Sequence, residues 1–118
     1  MSVAVKRPYE QRAAGDGYRV LVDRLRPRGL ASGDAEFDEW VKTVAPSTAL
    51  RQWFGHDPAK FADFRGRYLA ELSEAGDDLD RLRGRAKRGR LTLLTATKDP
   101  TVSHAAVLAV LLGTRSRS

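Results

Sequence analysis

The segment Arg19-Val-Leu-Val-Asp-Arg-Leu-Arg-Pro-Arg-Gly29 constrains the fold more than any other stretch. An apolar, β-branched run passes without a spacer into an aspartate and three arginines, and a proline and a glycine close it. Tyr18 to Asp23 reads as a strand that is buried along its length. Holding Arg24, Arg26 and Arg28 close together costs electrostatic repulsion. Acidic side chains elsewhere in the fold, or a bound anion, must offset it. The strand therefore ends where a charged site would stand.

Other segments can be arranged around that strand. Val3 to Lys6 is a short apolar run and a first strand, and residues 8–17, with Pro8, Gly15 and Gly17, read as a loop. Phe37, Trp40, Val41 and Val44 fall at i, i+3, i+4 and i+7, so Asp34 to Val44 is expected to be a helix. Ala45-Pro46 stops it, and Ser47 caps a short helix that turns Leu50, Trp53 and Phe54 inward. Asp57-Pro58 starts another helix, with Phe61, Phe64, Tyr68 and Leu72 on its inner stripe. Asp77-Asp78 opens a fourth, with Leu79, Leu82 and Ala86 inward. Leu91 to Thr95 is a third strand, followed by Lys98-Asp99-Pro100 and an apolar helix through Val107, Leu108, Leu111 and Leu112.

These elements predict a small α/β domain: a mostly parallel three-stranded sheet flanked by about five helices. Several helices separate the second and third strands, which favours parallel pairing. Residues 1–113 form one domain, and 114–118 are a polar tail. Ligands of such sheets bind beyond the carboxyl ends of the strands. Here those ends lead into Arg7-Pro-Tyr9, into Arg24–Gly29, and into Thr95–His104, which includes Lys98.

Composition narrows the chemistry. The chain has 118 residues, 42% of them apolar, no cysteine and two histidines. Thiol nucleophiles and disulfides are excluded, and the residues for a metal centre are scarce. No cofactor is called for. No run reaches the roughly 18 apolar residues of a membrane span, and the amino terminus lacks a signal-peptide pattern, so a cytoplasmic location is expected. The net charge is +6 and is unevenly spread. Residues 31–80 are rich in acid, whereas 81–90, Arg-Leu-Arg-Gly-Arg-Ala-Lys-Arg-Gly-Arg, contain none. Two readings of the basic flanks stand: attraction of nucleic acid or phosphate, or pairing with the acidic middle of the same chain.

The motifs Lys6-Arg7-x-Tyr9, Gly17-Tyr-Arg-Val-Leu-Val-Asp-Arg-Leu-x-Pro-Arg-Gly29, Ala45-Pro-Ser-x-x-Leu-Arg51 and Trp53-Phe-Gly-His-Asp-Pro58 resemble the YeaO-like proteins. Leu91-Thr-Leu-Leu-x-Ala-x-Lys-Asp99 and His104-Ala fit the same pattern, which covers nearly the whole chain in order. The resemblance implies a small bacterial domain of unknown function. Family members typically carry tryptophan where Arg26 stands here, so an aromatic wall is exchanged for a cation.

Candidate site residues follow from the rim. Lys6, Arg7, Arg24, Arg28 and Lys98 are candidate ligands for a phosphate or carboxylate, because guanidinium forks and ammonium groups match such anions. Asp23, His56 and His104 are candidate acid–base groups. Each has a structural alternative. The arginines would serve equally in a salt-bridge network, His56 in a turn beside Asp57, and His104 in packing or capping. The expected partner is a small anion, with nucleic acid on 81–90 as the alternative. Whether the domain is an enzyme is left open by the residues.

Overall fold

The computed structural model describes residues 2–8, 13–24, 37–97 and 102–113. Its centre is a parallel sheet of four strands: β1 Ser2–Lys6, β2 Tyr18–Leu21, β3 Glu39–Trp40 and β4 Arg90–Leu94. The spatial order is β1-β4-β2-β3, so the last strand in sequence lies between the first two. Register is fixed by Val3 and Tyr18 flanking Leu91, and by Lys6 and Leu21 flanking Leu94. The carboxyl ends of β1, β4 and β2 therefore finish level with one another. This common rim brings the three polar segments together.

Side chains alternate across the sheet, as the strand period of two requires. Val20, Leu91 and Leu93 face the helices and join the main core, with Val3, Val5 and Tyr18 at its margin. Arg19, Leu21, Thr92 and Leu94 point to the opposite face, and all four are fully buried. Both faces of the central strands are thus covered, which explains why they read as continuous apolar runs.

The helices are α1 Thr48–Phe54, α2 Phe61–Leu72, α3 Gly76–Arg88 and α4 His104–Gly113. Ser47 caps α1 by accepting from the Leu50 N–H at 3.1 Å, and Gly55 ends it in the left-handed conformation. Asp57 accepts from the Ala59 N–H at 3.0 Å and opens the 3-10 turn Pro58–Lys60 that leads into α2. Phe64, Tyr68 and Leu72, spaced by four, are buried along α2. Rings stack from α1 into α2, with Phe54 4.3 Å from Phe64 and Phe64 5.6 Å from Tyr68 between centroids. Trp53, expected inside, is only partly buried. Its ring is covered by the Arg67 guanidinium at 4.4 Å and the Lys60 ammonium at 5.2 Å.

Two expectations need correction. The sheet has four strands rather than three, and the described part of the expected first helix is not α-helical. Glu39–Trp40 is a short strand, and Lys42–Val44 is a single 3-10 turn. Cross-strand bonds favour this geometry over the helix that the apolar spacing would allow. Asp38 N–H donates to Arg19 O at 2.7 Å and Val41 N–H to Leu21 O at 3.0 Å. The Tyr18 hydroxyl donates to Glu39 at 2.8 Å, and the Trp40 indole N–H to the Asp23 carbonyl at 2.6 Å. A short apolar pattern cannot distinguish these outcomes by period alone.

Candidate functional site at the carboxyl rim

β2 delivers Val22, Asp23 and Arg24 to the rim, β4 delivers Thr95 to Thr97, and α4 begins there with His104. Val22 N–H still donates to Leu94 O, and Thr95 N–H to Lys6 O, both at 3.1 Å. Sheet-like hydrogen bonding therefore carries these segments a residue past the strands.

Asp23 is the hub of the rim. Its Oδ2 accepts from the Ala96 N–H at 2.8 Å, and the Thr95 hydroxyl also bonds to it. His104 Nε2 lies 3.1 Å from the Val22 carbonyl and 3.2 Å from Asp23 Oδ1. Both neighbours are acceptors, so Nε2 carries the ring proton and is shared between them. Burial by itself would raise the Asp23 carboxyl. The His104 hydrogen bond and charge, the Ala96 amide and the Thr95 hydroxyl outweigh that, and the group titrates below its ordinary value.

Tyr68 walls the site from below, its ring edge-on to His104 at 5.9 Å. Its hydroxyl donates to the Val44 carbonyl. Burial first, then the charges of Glu71 and Asp23, hold this phenol well above its ordinary range, so it is a fixed donor.

Arg24 leaves the rim on the other side. Its Nε donates to Pro46 O at 3.2 Å and its Nη2 to Ala45 O at 3.4 Å. Those carbonyls precede the α1 cap, where Glu71 grips the Ser47 N–H and hydroxyl at 2.8 and 2.6 Å. Backbone oxygens thus orient Arg24, and among the described residues no carboxylate pairs with it. Arg7 is half-buried, with Nη2 3.5 Å from Ala96 O.

Lys6 is committed elsewhere. Its Nζ bonds Asp16 at 2.9 Å, and Arg19 Nη1 bonds the other Asp16 oxygen at 2.6 Å. The Ala13 N–H adds a bond of 3.0 Å, and the Asp16 carbonyl accepts from the Thr92 hydroxyl at 2.7 Å. Those bonds from Ala13, Lys6 and Arg19 drive the Asp16 carboxyl far below its ordinary value despite its burial. Next to it, Gly17 has φ +65°, and a Cβ there would lie 2.2 Å from the Arg90 carbonyl oxygen. Only glycine fits this approach.

The rim thus gathers Asp23, His104, Arg24 and Arg7. His56 does not join them. It is exposed in a left-handed turn after α1, and its ring meets Phe54, at the far end of the ladder that runs through Phe64 and Tyr68 to His104. Arg26, Arg28 and Lys98 lie outside the described residues. The sequence reading missed Asp16 and Arg19. The available signal was an arginine inside an apolar strand, because a buried guanidinium needs a nearby carboxylate.

A parallel α/β domain with a half-buried aspartate beside a buried histidine at its strand ends is the class that the geometry defines. Within it, the chain belongs to the family DUF488-N3i, described as the inactive DUF488-N3 subclade, which matches residues 2–117. The chain is 46% identical to the uncharacterized protein YeaO of Escherichia coli (strain K12), over 92% of this chain and 95% of that protein. It is 45% identical to the uncharacterized protein Rv3073c of Mycobacterium tuberculosis, over 96% of this chain and 95% of the other. No solved structure gives a significant match. Among the described residues, no helix is long and apolar enough to cross a membrane.

Proposed function

We propose that this domain is a non-catalytic receptor for a small anion, a phosphate or carboxylate group, held at the carboxyl rim. Arg24 is the principal contact, and Arg7, which follows β1 on the same rim, is a further candidate. Arg28 and Lys98, which the sequence places just beyond β2 and β4, are further candidate ligands. One observation carries the reading. The Arg24 guanidinium is fixed by two backbone carbonyls, while the carboxylate next to it in sequence, Asp23, is turned to Ala96, Thr95 and His104. Its orientation is set and its charge is not neutralised by a described carboxylate. A guanidinium in that condition favours an external anion.

Two observations support a receptor over an enzyme. The family description carries the word inactive. In addition, Asp23 Oδ2 and His104 Nε2 bond to backbone groups, the Ala96 N–H and the Val22 carbonyl, as expected of groups that hold the rim together.

Thermal unfolding tests this. Inorganic phosphate or sulfate should raise the melting temperature more than chloride at matched ionic strength. A ligand at a hundredfold over its Kd stabilises by about 2.7 kcal/mol. Arg24→Ala should abolish the preference and Arg24→Lys should retain part of it. A parent protein indifferent to the choice of anion would rule the reading out.

A further inference from the structure

The basic run of residues 81–90 is divided by the structure into two halves of different character. In the first half, Arg81 bonds Glu39 at 2.7 Å and Asp78 at 3.2 Å, and Arg83 bonds Asp80 at 3.3 Å. Those charges are consumed by the acidic start of α3 and by β3. In the second half, Arg85, Lys87, Arg88 and Arg90 are exposed, and none has a carboxylate partner among the described residues. Arg88 reaches only the Gly84 carbonyl, at 3.4 Å.

The unpaired half is held in place. The Arg85 guanidinium lies 4.0 Å over the Tyr18 ring, whose hydroxyl is tied to Glu39. Arg85 and Arg88 sit one turn apart on the same side of α3. Arg90 begins β4, where Gly17 packs against its carbonyl. These residues lie at the amino ends of β2 and β4, the rim opposite Asp23 and Arg24. The negative end of the α3 dipole eases their mutual repulsion but does not neutralise four full charges.

From this arrangement we infer that the amino rim of the sheet binds the phosphate backbone of nucleic acid without reading its sequence, through Arg85, Lys87, Arg88 and Arg90. The cations are spread over a helix end and a strand start, which fits several phosphates better than one small anion. An anionic membrane is the weaker match. Surface helices that bind lipid pair their cations with an exposed apolar face. The one large apolar side chain that is well exposed among the described residues is Val110, on α4. No asparagine or glutamine, the usual readers of adenine, stands in 81–90.

Fluorescence anisotropy with a short labelled DNA duplex, at salt stepped between about 50 and 200 mM, tests the inference. Four phosphate contacts predict a slope of log K against log salt of about −3.6. The double variant Lys87→Glu, Arg88→Glu spares the Arg85–Tyr18 contact and should flatten that slope by about 1.8. Arg51→Glu, Arg65→Glu makes the same change in net charge on other helices and should leave the slope unchanged. Arg24→Ala should also leave it unchanged, which separates this rim from the anion site opposite. The inference is overturned if the parent fails to bind at the lowest salt or if both double variants weaken binding alike. It is equally overturned if phosphatidylserine vesicles bind more tightly than the duplex.

Discussion

Asp16, which is buried, and Asp23, which is half-buried, are two carboxylates stabilised by different means. Asp16 is held by two formal cations, Lys6 and the fully buried Arg19, with the Ala13 amide as support. Asp23 is held by a backbone amide, a hydroxyl and an imidazole N–H, with no lysine or arginine among its bonds. Both titrate below the ordinary value. The difference shows in what each leaves behind when removed. Without Asp16, a fully buried guanidinium loses its carboxylate. Without Asp23, a backbone amide, a hydroxyl and an imidazole lose their acceptor, and Arg24 keeps its charge either way. The first aspartate maintains the fold, whereas the second shapes a rim and leaves a cation there free for other use.

The sharpest test is Asp16→Ala, which should cost about 3–5 kcal/mol because the buried Arg19 guanidinium loses its carboxylate. A loss under about 1 kcal/mol in urea unfolding would break the contrast. Asp23→Ala should cost less, about 1–3 kcal/mol, the penalty for hydrogen-bonding groups left unsatisfied. Equal losses in the two variants would show that formal charge is not what separates the sites.

Acid separates them further. A carboxyl whose folded pKa is depressed contributes stability above its ordinary value, here 3.8, and loses it as pH falls through the folded pKa. Asp16 is lowered strongly. Asp16→Asn should therefore have a shallower decline in stability than the parent from about pH 4 to about pH 2, and Asp23→Asn should fall between them. Parallel acid limbs would contradict this order. The smallest effect is expected at Lys6, whose side chain is 25% exposed and whose partner keeps Arg19. Lys6→Met should cost about 0.2–1 kcal/mol by the same measurement.

The contrast also shows what the residues revealed in advance. β1, β2 and β4 were legible because short runs rich in Val and Leu, bounded by turn residues, fit strands. Their parallel pairing was legible because several helices intervene between β2 and β4. Phe64, Tyr68 and Leu72 lay on the inner stripe that four-residue spacing implied. β3 was not legible, because its two pairing residues fall within a spacing that also satisfies a helix. Only contacts remote in sequence, from Tyr18 to Glu39 and from Trp40 to Asp23, decide between them.

The rim divided in the same way. That Asp23, the residues after Thr95, and His104 would meet was readable from strand ends alone. That Lys6 would turn away to Asp16 was not, because it depends on the face β1 presents and on a loop with no pattern of its own. His56, set between two helices by a capping sequence, kept its turn role and stayed out of the rim.

The chain has two tryptophans, and their settings differ. Trp40 donates its indole N–H to the carbonyl of Asp23, while Trp53 lies under Arg67 and Lys60 on the helical side. The protein therefore carries two intrinsic optical reporters on separate parts of its surface. A Trp53→Phe variant would emit from Trp40 alone. Its emission would record the hydration and polarity of the carboxyl strand ends without any attached dye, apart from changes on the helical side that Trp53 senses.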